Sequence, residues 1–312
     1  MFIYILKRIF VGLVTVFAIA TLTFFGMHAV PGDPLLKGKV VNEAVRKNLE
    51  EKYGINKPLH IQYGTFLLNM AQGDFGISFT QQNRTVNEII REHFPVSAIL
   101  GMLAIITAAI GGIIGGAIAA LKRNSLSDRT IMSMVILFVS VPSFVFAAFG
   151  QVVIAEIKTR FGFEVLPVAG WGTLSHMVLP ALILGLGTMA FLARLMRSSM
   201  LEVVHQDYVR TAKAKGVSTL QIFLKHQLRN AVLPVITFLG PAVAAITTGG
   251  FVAEIVFAIP GLGRYFVQAV QQLDYTVIMG LTVFYGAYLV FIVILVDVLY
   301  GFIDPRIRIA GA

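Results

Sequence analysis

Long apolar runs alternate with short polar connections along most of the chain. An α-helix needs about 20 predominantly apolar residues to cross the hydrocarbon core of a bilayer. Windows that meet this requirement occur six times, at 9–30, 96–121, 131–155, 177–193, 232–253 and 278–302. The fourth window contains Pro180 and is predicted to continue as a helix past Arg194 and Arg197. The pattern predicts an all-α membrane protein with six transmembrane helices.

The composition agrees with this pattern. Hydrophobic residues make up 57% of the chain and charged residues 13%, whereas soluble domains carry about 25% charged residues. A net charge of +9 is also typical of nucleic-acid binding, but here the basic residues lie beside the apolar runs, where they set membrane orientation. There is no cysteine, which excludes disulfides and thiolate metal sites.

The basic residues are distributed unevenly between the connections. The N-terminus carries Lys7 and Arg8, and the second connection carries Lys122, Arg123 and Arg129. The fourth connection, 194–231, contains seven basic residues, while the third and fifth contain few. Short loops rich in Lys and Arg stay in the cytoplasm. Both chain termini are therefore predicted to be cytoplasmic.

The long first connection, 31–95, is predicted to be a small helical region outside the cytoplasm. Helices are expected over 42–53 and 58–72, where Gly54 and Gly73 would end them. Thr85 and Glu88 have the spacing of a capping box ahead of the next helix. The predicted divisions are a transmembrane helix at 1–30, the extracytoplasmic region at 31–95 and a membrane core at 96–312.

A polar, basic segment at 207–221 separates the fourth and fifth apolar runs. Asp207 is predicted to cap a short helix, and Gly216 to end it in the left-handed conformation. Ser218 and Gln221 have capping-box spacing for a second helix, which is expected to follow the membrane surface before turning inward near 230–234. An ordinary basic loop is the alternative interpretation.

Several irregular sequences interrupt the apolar runs. Residues 140–144, Ser-Val-Pro-Ser-Phe, predict a kink in the third run. Glycine pairs at 111–112 and 115–116 predict close packing against another helix. Thr247 and Thr248 suit either tight helix packing or a pore wall. Asp297 is the one acidic residue well inside a predicted span and is a weak candidate for a proton relay.

Motifs for catalysis are absent from the sequence. There is no G-x-x-x-x-G-K-[ST] phosphate-binding loop, no H-E-x-x-H zinc motif and no G-x-S-x-G nucleophile elbow. Neither a metal site nor a bound cofactor is predicted. The chain is not expected to be an enzyme, and any ATP hydrolysis would belong to separate subunits.

Five short motifs together resemble one family of membrane proteins. They are PGDP at 31–34, GDFGIS at 73–78, DYVRTAKAKG at 207–216, RNAVLP at 229–234 and PGLG at 260–263. In this order they resemble the B-type permease subunits of the oligopeptide/dipeptide/nickel ABC importers. Arg210-Thr211-Ala212 replaces the more general Glu-Ala-Ala of such permeases, so the salt bridge of that glutamate is not carried over.

The resemblance implies a type I ABC importer transmembrane domain and assigns roles to three groups of residues. A coupling loop would dock into a groove on an ATPase, with small side chains at the contact supplied by Thr211, Ala212 and Ala214. The residues of this loop are Asp207, Tyr208, Arg210, Thr211, Ala212, Lys213, Ala214, Lys215 and Gly216. The translocation path would involve Ser140, Pro142, Ser143, Thr247 and Thr248. The receptor-facing residues would be Glu254, Pro260, Gly261 and Gly263.

The resemblance also implies partners in a bacterial or archaeal cytoplasmic membrane. They are a homologous C-type permease, two cytoplasmic ATP-binding subunits and an extracytoplasmic solute-binding protein. The solute would be an oligopeptide or dipeptide, with nickel chelates and glutathione as alternatives. The rival hypothesis is an ion-coupled six-span secondary carrier, which requires buried ionisable groups near mid-membrane. A membrane scaffold without solute flux is a third possibility.

Overall fold

The computed structural model describes residues 2–30, 57–81, 83–248 and 250–303. These residues are almost entirely helical, and their single β pairing is a bridge between Ile77 and Thr85. The helices are α1 Phe2–Ala29, α2 Leu59–Ala71, α3 Val86–Leu121, α4 Leu126–Ser140, α5 Ser143–Phe161, α6 Leu174–Val204, α7 Asp207–Ala214, α8 Thr219–Ala231, α9 Leu233–Thr247, α10 Phe251–Val256, α11 Leu262–Gln272 and α12 Tyr275–Ile303. The all-α prediction is confirmed. The PGDP motif, the predicted helix 42–53 and the side chain of Asp297 lie outside what is described.

Four of the described helices are each long and apolar enough to cross a membrane, namely α1, α3, α6 and α12. They correspond to the first, second, fourth and sixth predicted spans. The helix α6 continues to Val204, which confirms the predicted extension past Arg197. The third and fifth predicted spans are bent helix pairs, so the described residues contain up to six spans if each pair crosses once.

The third span was wrongly predicted as one kinked helix over 131–155. Instead α4 ends at Ser140, α5 begins at Ser143, and their axes differ by 108°. Val141 is extended, with φ −95° and ψ 127°. Pro142 explains the break, because its ring clashes with a helical residue before it and it has no N–H to donate.

The fifth span was wrongly predicted as one helix over 232–253. The helix α9 ends at Thr247 and a separate helix, α10, follows after the non-helical Gly250. A 15-residue helix is about 22 Å long, which is shorter than a bilayer core of about 30 Å. Together with α8, whose axis lies 46° from that of α9, the helix pair is long and apolar enough for one crossing.

The chain divides into two compact units, Met1–Ser97 with Pro260–Ala312, and Ala98–Ile259. In the first unit α1 packs along α12, and α11 also contacts α12. In the second unit α6 is central and contacts α4, α5, α8, α9 and α10. The three-part division at residues 30 and 95 stays a prediction.

Three of the four paired glycines of α3, namely Gly111, Gly112 and Gly116, pack closely against α6, which confirms the predicted close helix contact. A Cβ atom on Gly112 would lie 2.6 Å from Cβ of Leu192, and one on Gly116 would lie 2.4 Å from the carbonyl oxygen of Ala193. Real Cβ atoms do not approach backbone so closely, so these two positions require glycine. This close contact fixes the position of α6 against α3, and α6 leads directly into the polar segment at 207–221.

Two local predictions for the region 31–95 are confirmed. Thr85 and Glu88 form a complete capping box: Glu88 N–H donates to Thr85 Oγ1 over 3.1 Å, and Thr85 N–H donates to Glu88 Oε2 over 3.0 Å. The helix α2 ends at Ala71 and is followed by Gly73 with φ +76°. Both features depend on residues within a few positions of each other, so they can be predicted from the sequence alone.

Candidate functional site

The predicted coupling segment folds as two short helices joined by a tight turn. The helix α7 ends at Ala214, and Gly216 has φ +74°, as predicted. Gly216 N–H donates to the Lys213 carbonyl over 3.0 Å, and Val217 N–H donates to the Ala212 carbonyl over 3.2 Å. This pair of bonds is a Schellman motif, which satisfies carbonyls that the helix end would otherwise leave unpaired.

Two predicted caps in this segment are wrong in detail. The N-cap of α7 is Gln206, and no side chain there accepts a capping bond. Asp207 is the first helical residue, where its carboxylate still faces the positive end of the helix. Ser218 is the N-cap of α8 as predicted, but its side chain makes no capping bond. The Ser218 carbonyl accepts from Ile222 N–H over 2.9 Å instead.

The two helices are held together by an apolar contact. Val209, Ala212 and Ile222 form one buried cluster, against which Val203 and Val217 pack. Ala212 is only 7% exposed. Sequence analysis placed Ala212 on the docking surface, but in the structure its methyl group faces the chain's own second helix.

The opposite face of α7 is exposed. Residues 207, 210, 211 and 214 are spaced by three and four positions, so they share one side of the helix. All four of these residues are exposed. The ion pair of Asp207 with Arg210 spans 3.7 Å between two exposed side chains, and such a pair contributes little to stability. We call Asp207, Arg210, Thr211 and Ala214 the outer face of α7.

The helix α8 links this segment to α9 through an unusual stretch of backbone. Residues Ile222–Leu228 are π-helical, a conformation found mostly as short bulges at functional sites. Asn230 Nδ2, at the end of α8, donates to the hydroxyl of Tyr208 over 3.0 Å. The first turn of α7 and the end of α8 are thus joined by a side-chain hydrogen bond that sequence analysis did not anticipate.

A buried ion pair lies beside the same region of α6. Arg197 Nε and NH2 donate to the two carboxylate oxygens of Asp128 over 2.7 and 2.8 Å. Asp128 also accepts from Asn124 N–H over 2.9 Å. A two-point contact to a fork of N–H groups fixes both orientation and distance. This pair ties the first turn of α4 to α6.

The predicted path residues fall into two different environments. Ser140, Pro142 and Ser143 are exposed at the bend between α4 and α5. Thr247 is 1% exposed, and its hydroxyl donates to the Val243 carbonyl over 2.6 Å. A Cβ on Gly101 would lie 2.7 Å from Thr247 Cα. Helix packing therefore accounts for Thr247, whereas Thr248 is less buried and bonds to the Ala245 carbonyl.

The predicted receptor-facing stretch is mostly interior. Glu254 is completely buried, and Gly261 and Gly263 are buried as well. The carboxylate of Glu254 therefore does not lie on a surface, which corrects the expectation for that side chain. Pro260 is partly exposed and is the predicted member nearest a surface.

The loop at Pro260 is held by two side chains of α3. A carbonyl oxygen only accepts, so His93 Nδ1 donates to the Pro260 carbonyl over 2.8 Å. Arg84 NH2 then donates to His93 Nε2 over 3.0 Å, which leaves His93 neutral. Leu262 N–H donates to Ser97 Oγ over 2.8 Å. Sequence analysis missed His93 and Ser97, because their partners lie more than 160 residues away.

Asp274 is the most connected side chain that sequence analysis passed over. It is 1% exposed and accepts from the hydroxyls of Ser78 and Thr80 over 2.5 and 2.9 Å. It also accepts from the N–H groups of Phe79, Thr80 and Val277, each over 3.2 Å. One carboxylate thereby fastens the loop after GDFG to the first turn of α12.

Comparison with known proteins decides the family. Residues 112–309 match the family of binding-protein-dependent transport system inner membrane components, and residues 1–101 match the N-terminal domain of such membrane components. The chain belongs to this family. Its resemblance to the B-type permeases is confirmed by full-length relatives.

One such relative is the dipeptide transport system permease protein DppB of Bacillus subtilis strain 168. It is 47% identical over 98% of both chains. The oligopeptide transport system permease proteins OppB of Haemophilus influenzae and Escherichia coli K12 are 43% and 40% identical over 98% of this chain and 99% of theirs. An inward-facing structure of the MetNI methionine ABC transporter matches with a TM-score of 0.49 and 18% identity, over 72% of this chain and 96% of that one.

Membership in this family decides against the ion-coupled carrier. Permeases of binding-protein-dependent systems are inner-membrane components, which places the chain in the cytoplasmic membrane. The family works with a second permease, ATPases and a binding protein.

Replacing Gly216 with valine tests the turn of the coupling segment. No atom lies within 4 Å of an added Cβ, so the whole cost comes from the positive φ, about 1–3 kcal/mol for a branched residue. Hydrogen exchange of the amides at 212–222 is expected to accelerate roughly ten- to hundredfold. Gly64→Val is the control, because Gly64 is helical with equally open surroundings. Unchanged exchange in Gly216→Val would contradict the assigned turn.

Proposed function

We propose that the chain is the transmembrane permease subunit of an ATP-driven peptide importer, forming half of the translocation path. The supporting observation is its full-length similarity to permeases named for dipeptide and oligopeptide transport. The segment at 207–221 couples the permease to cytoplasmic ATPases. Its exposed outer face and its packing onto α8 are what such a role requires.

The complex contains one homologous C-type permease, two ATP-binding subunits and an extracytoplasmic solute-binding protein. The chain contributes the N-terminal helix 1–30, the extracytoplasmic region 31–95 and the permease core 96–312. Orientation by basic loops puts 194–231 on the ATPase side and 31–95 on the receptor side. The solute class is peptides, because both kinds of relative are named for peptides.

The mechanism follows from how the coupling segment is attached. ATP-driven closure of the ATPases shifts the permease only through contacts that differ between its inward-open and outward-open states. A force on the outer face of α7 reaches α8 through Val209, Ala212 and Ile222, and reaches the end of α8 through Tyr208 and Asn230. The helix α9 follows α8 directly, so the displacement is carried into the membrane core.

Reconstitution tests the proposed function. The permease is purified with its co-encoded subunits, placed in liposomes, and supplied with receptor and labelled di- and oligopeptides. Uptake is expected to require ATP, receptor and both permeases, and the isolated chain is expected to show no ATPase activity. Uptake driven by an ion gradient without ATP would contradict the proposal. Transport of nickel chelates or glutathione instead of peptides would contradict only the solute class.

A further inference from the structure

A cavity of about 100 Å³ lies within the first compact unit. It is enclosed by α1, α2, the loop that contains GDFG, and the first turns of α12. Its walls are mainly aromatic and aliphatic, and include Phe24, Phe66, Phe75, Phe79, Tyr275 and Met279. The volume far exceeds the roughly 10–15 Å³ that one water needs. The cavity therefore has room for part of a small apolar molecule.

The position of this cavity along α1 places it at the outer edge of the bilayer. Lys7 and Arg8 mark the cytoplasmic end of α1, and about 20 helical residues beyond them span the hydrocarbon core. The opposite boundary thus falls near His28, which borders the cavity. Thr21 is seven residues, about 10 Å, closer to the membrane centre. Its hydroxyl is hydrogen-bonded to that of Tyr63 in α2 over 2.7 Å.

Tyr63 of α2 consequently lies at the depth of the outer-leaflet acyl chains, at the membrane edge of the receptor-side region 31–95. The helix α2 is mostly apolar, yet none of its residues is buried within the chain. Leu59, Ile61 and Leu68 are 41–60% exposed. A helix with this character, held against the end of a spanning helix, is typical of an interfacial position with apolar side chains among lipids.

Three polar side chains at the cavity rim are hydrogen-bonded within the chain. His28 Nδ1 is bonded to the Phe24 carbonyl over 2.8 Å, and its Nε2 lies 3.3 Å from Gln62 Oε1. Gln62 Nε2 donates to the Lys57 carbonyl, and Asp74 accepts from Gly76 N–H. Thr65, Asn69 and Thr276 also line the cavity, but most of its wall is apolar. The apolar part of the wall is suited to hydrocarbon.

We propose that this cavity binds a segment of one hydrocarbon chain of an outer-leaflet membrane lipid. The chain lies against Phe24, Phe66 and Met279, and the polar part of the lipid lies at the His28 end. A lipid bound here packs α2 and the GDFG loop against α1 and α12. The site and the coupling segment belong to different compact units, and lipid binding does not depend on the solute.

Photocrosslinking in liposomes tests the site. The assembled complex is reconstituted with a phosphatidylglycerol that carries a diazirine near the end of one acyl chain, and adducts are mapped by mass spectrometry. Adducts are expected on the cavity-lining peptides of α2 and α12. Thr65→Phe places a ring at the cavity wall and is expected to remove these adducts. Leu68→Phe is the matched control, since Leu68 is 60% exposed on the same helix.

The outcomes separate a specific site from general lipid contact. A second filling variant, Met279→Trp on the opposite wall, is expected to remove the same adducts, which guards against misfolding of one variant. Both variants are first checked for intact assembly with the second permease. Adducts on the exposed side of α2 alone, or equal cavity adducts in filled and parent proteins, would overturn the proposal. Loss of all cavity adducts on adding the receptor would also overturn it and would identify a protein segment as the occupant.

Discussion

Replacing Ala214 with tryptophan is expected to release the ATPases from the membrane complex and to abolish uptake. Ala214 lies on the outer face of α7, about half a turn from the buried Val209 and Ala212. An indole there points away from the chain, so the permease itself is expected to fold normally. A groove that accepts a methyl group does not accept a ring without a clash costing a few kcal/mol. Such a loss corresponds to a weakening of association by about a hundredfold or more.

Lys213→Trp is the matched control for that experiment. Lys213 is exposed on the same helix but about 100° around its axis from Ala214. ATPase co-purification and receptor-stimulated hydrolysis are measured for both variants beside the parent. Normal association in Ala214→Trp would mean that the outer face does not contact the ATPases. Equal loss in both variants would point to damage of the segment rather than to a contact surface.

Ala212→Glu affects the same segment in a different way. Its carboxylate would be placed in the apolar cluster of Val209 and Ile222, where an unpaired charge costs several kcal/mol. This variant is therefore expected to unfold α7 itself, whereas Ala214→Trp leaves it folded. Sequence analysis treated the small residues of this helix as equivalent. Only the second helix that packs on α7 distinguishes Ala212 from Ala214, and the position of that helix depends on the turn at Gly216.

Features that depend on neighbouring residues were predicted correctly more often than features that depend on contacts between distant parts of the chain. The capping box at Thr85 and the left-handed Gly216 depend on a few neighbouring residues, and both are present in the structure. Pro142 identified the position of a break, but its 108° angle depends on what α4 and α5 each pack against. The early end of α9 has a similar origin, since a Cβ on Gly250 would lie 2.5 Å from Leu184.

Burial was the property that sequence predicted least well. Glu254 was expected to face the receptor, but its side chain is completely buried. Gln151, a residue of α5, donates to the carbonyls of Val168 and Val256 over 3.0 Å each. This contact helps to fold the α10 region inward. The sequence around Val256 contains no pattern to show that Gln151, about a hundred positions earlier, donates a hydrogen bond to its carbonyl.

Asp274→Leu is expected to detach the GDFG loop from α12 and to abolish receptor-dependent transport. Leucine fills the volume but accepts no hydrogen bond, so the hydroxyls of Ser78 and Thr80 and the three N–H donors lose a buried partner. Each unsatisfied buried donor costs about 1–3 kcal/mol. Partial rescue by water reduces the sum, and we expect a loss of roughly 3–5 kcal/mol. Asp274→Asn retains one acceptor oxygen, and its stability is expected to lie between those of the parent and Asp274→Leu.

Hydrogen exchange separates a local from a global effect of this variant. Amides at 75–81 and 274–278 are expected to exchange much faster in Asp274→Leu, while those of α7 and α6 keep their protection, because the latter belong to the other compact unit. Asp207→Leu is the control for hydrogen exchange, since it removes a carboxylate that is 97% exposed and whose ion pair, with Arg210, lies within α7. Basal ATP hydrolysis is expected to persist in Asp274→Leu while its stimulation by the receptor is lost. Parent-like exchange at 75–81 would show that Asp274 does not hold this loop, and the role assigned to its carboxylate would be wrong.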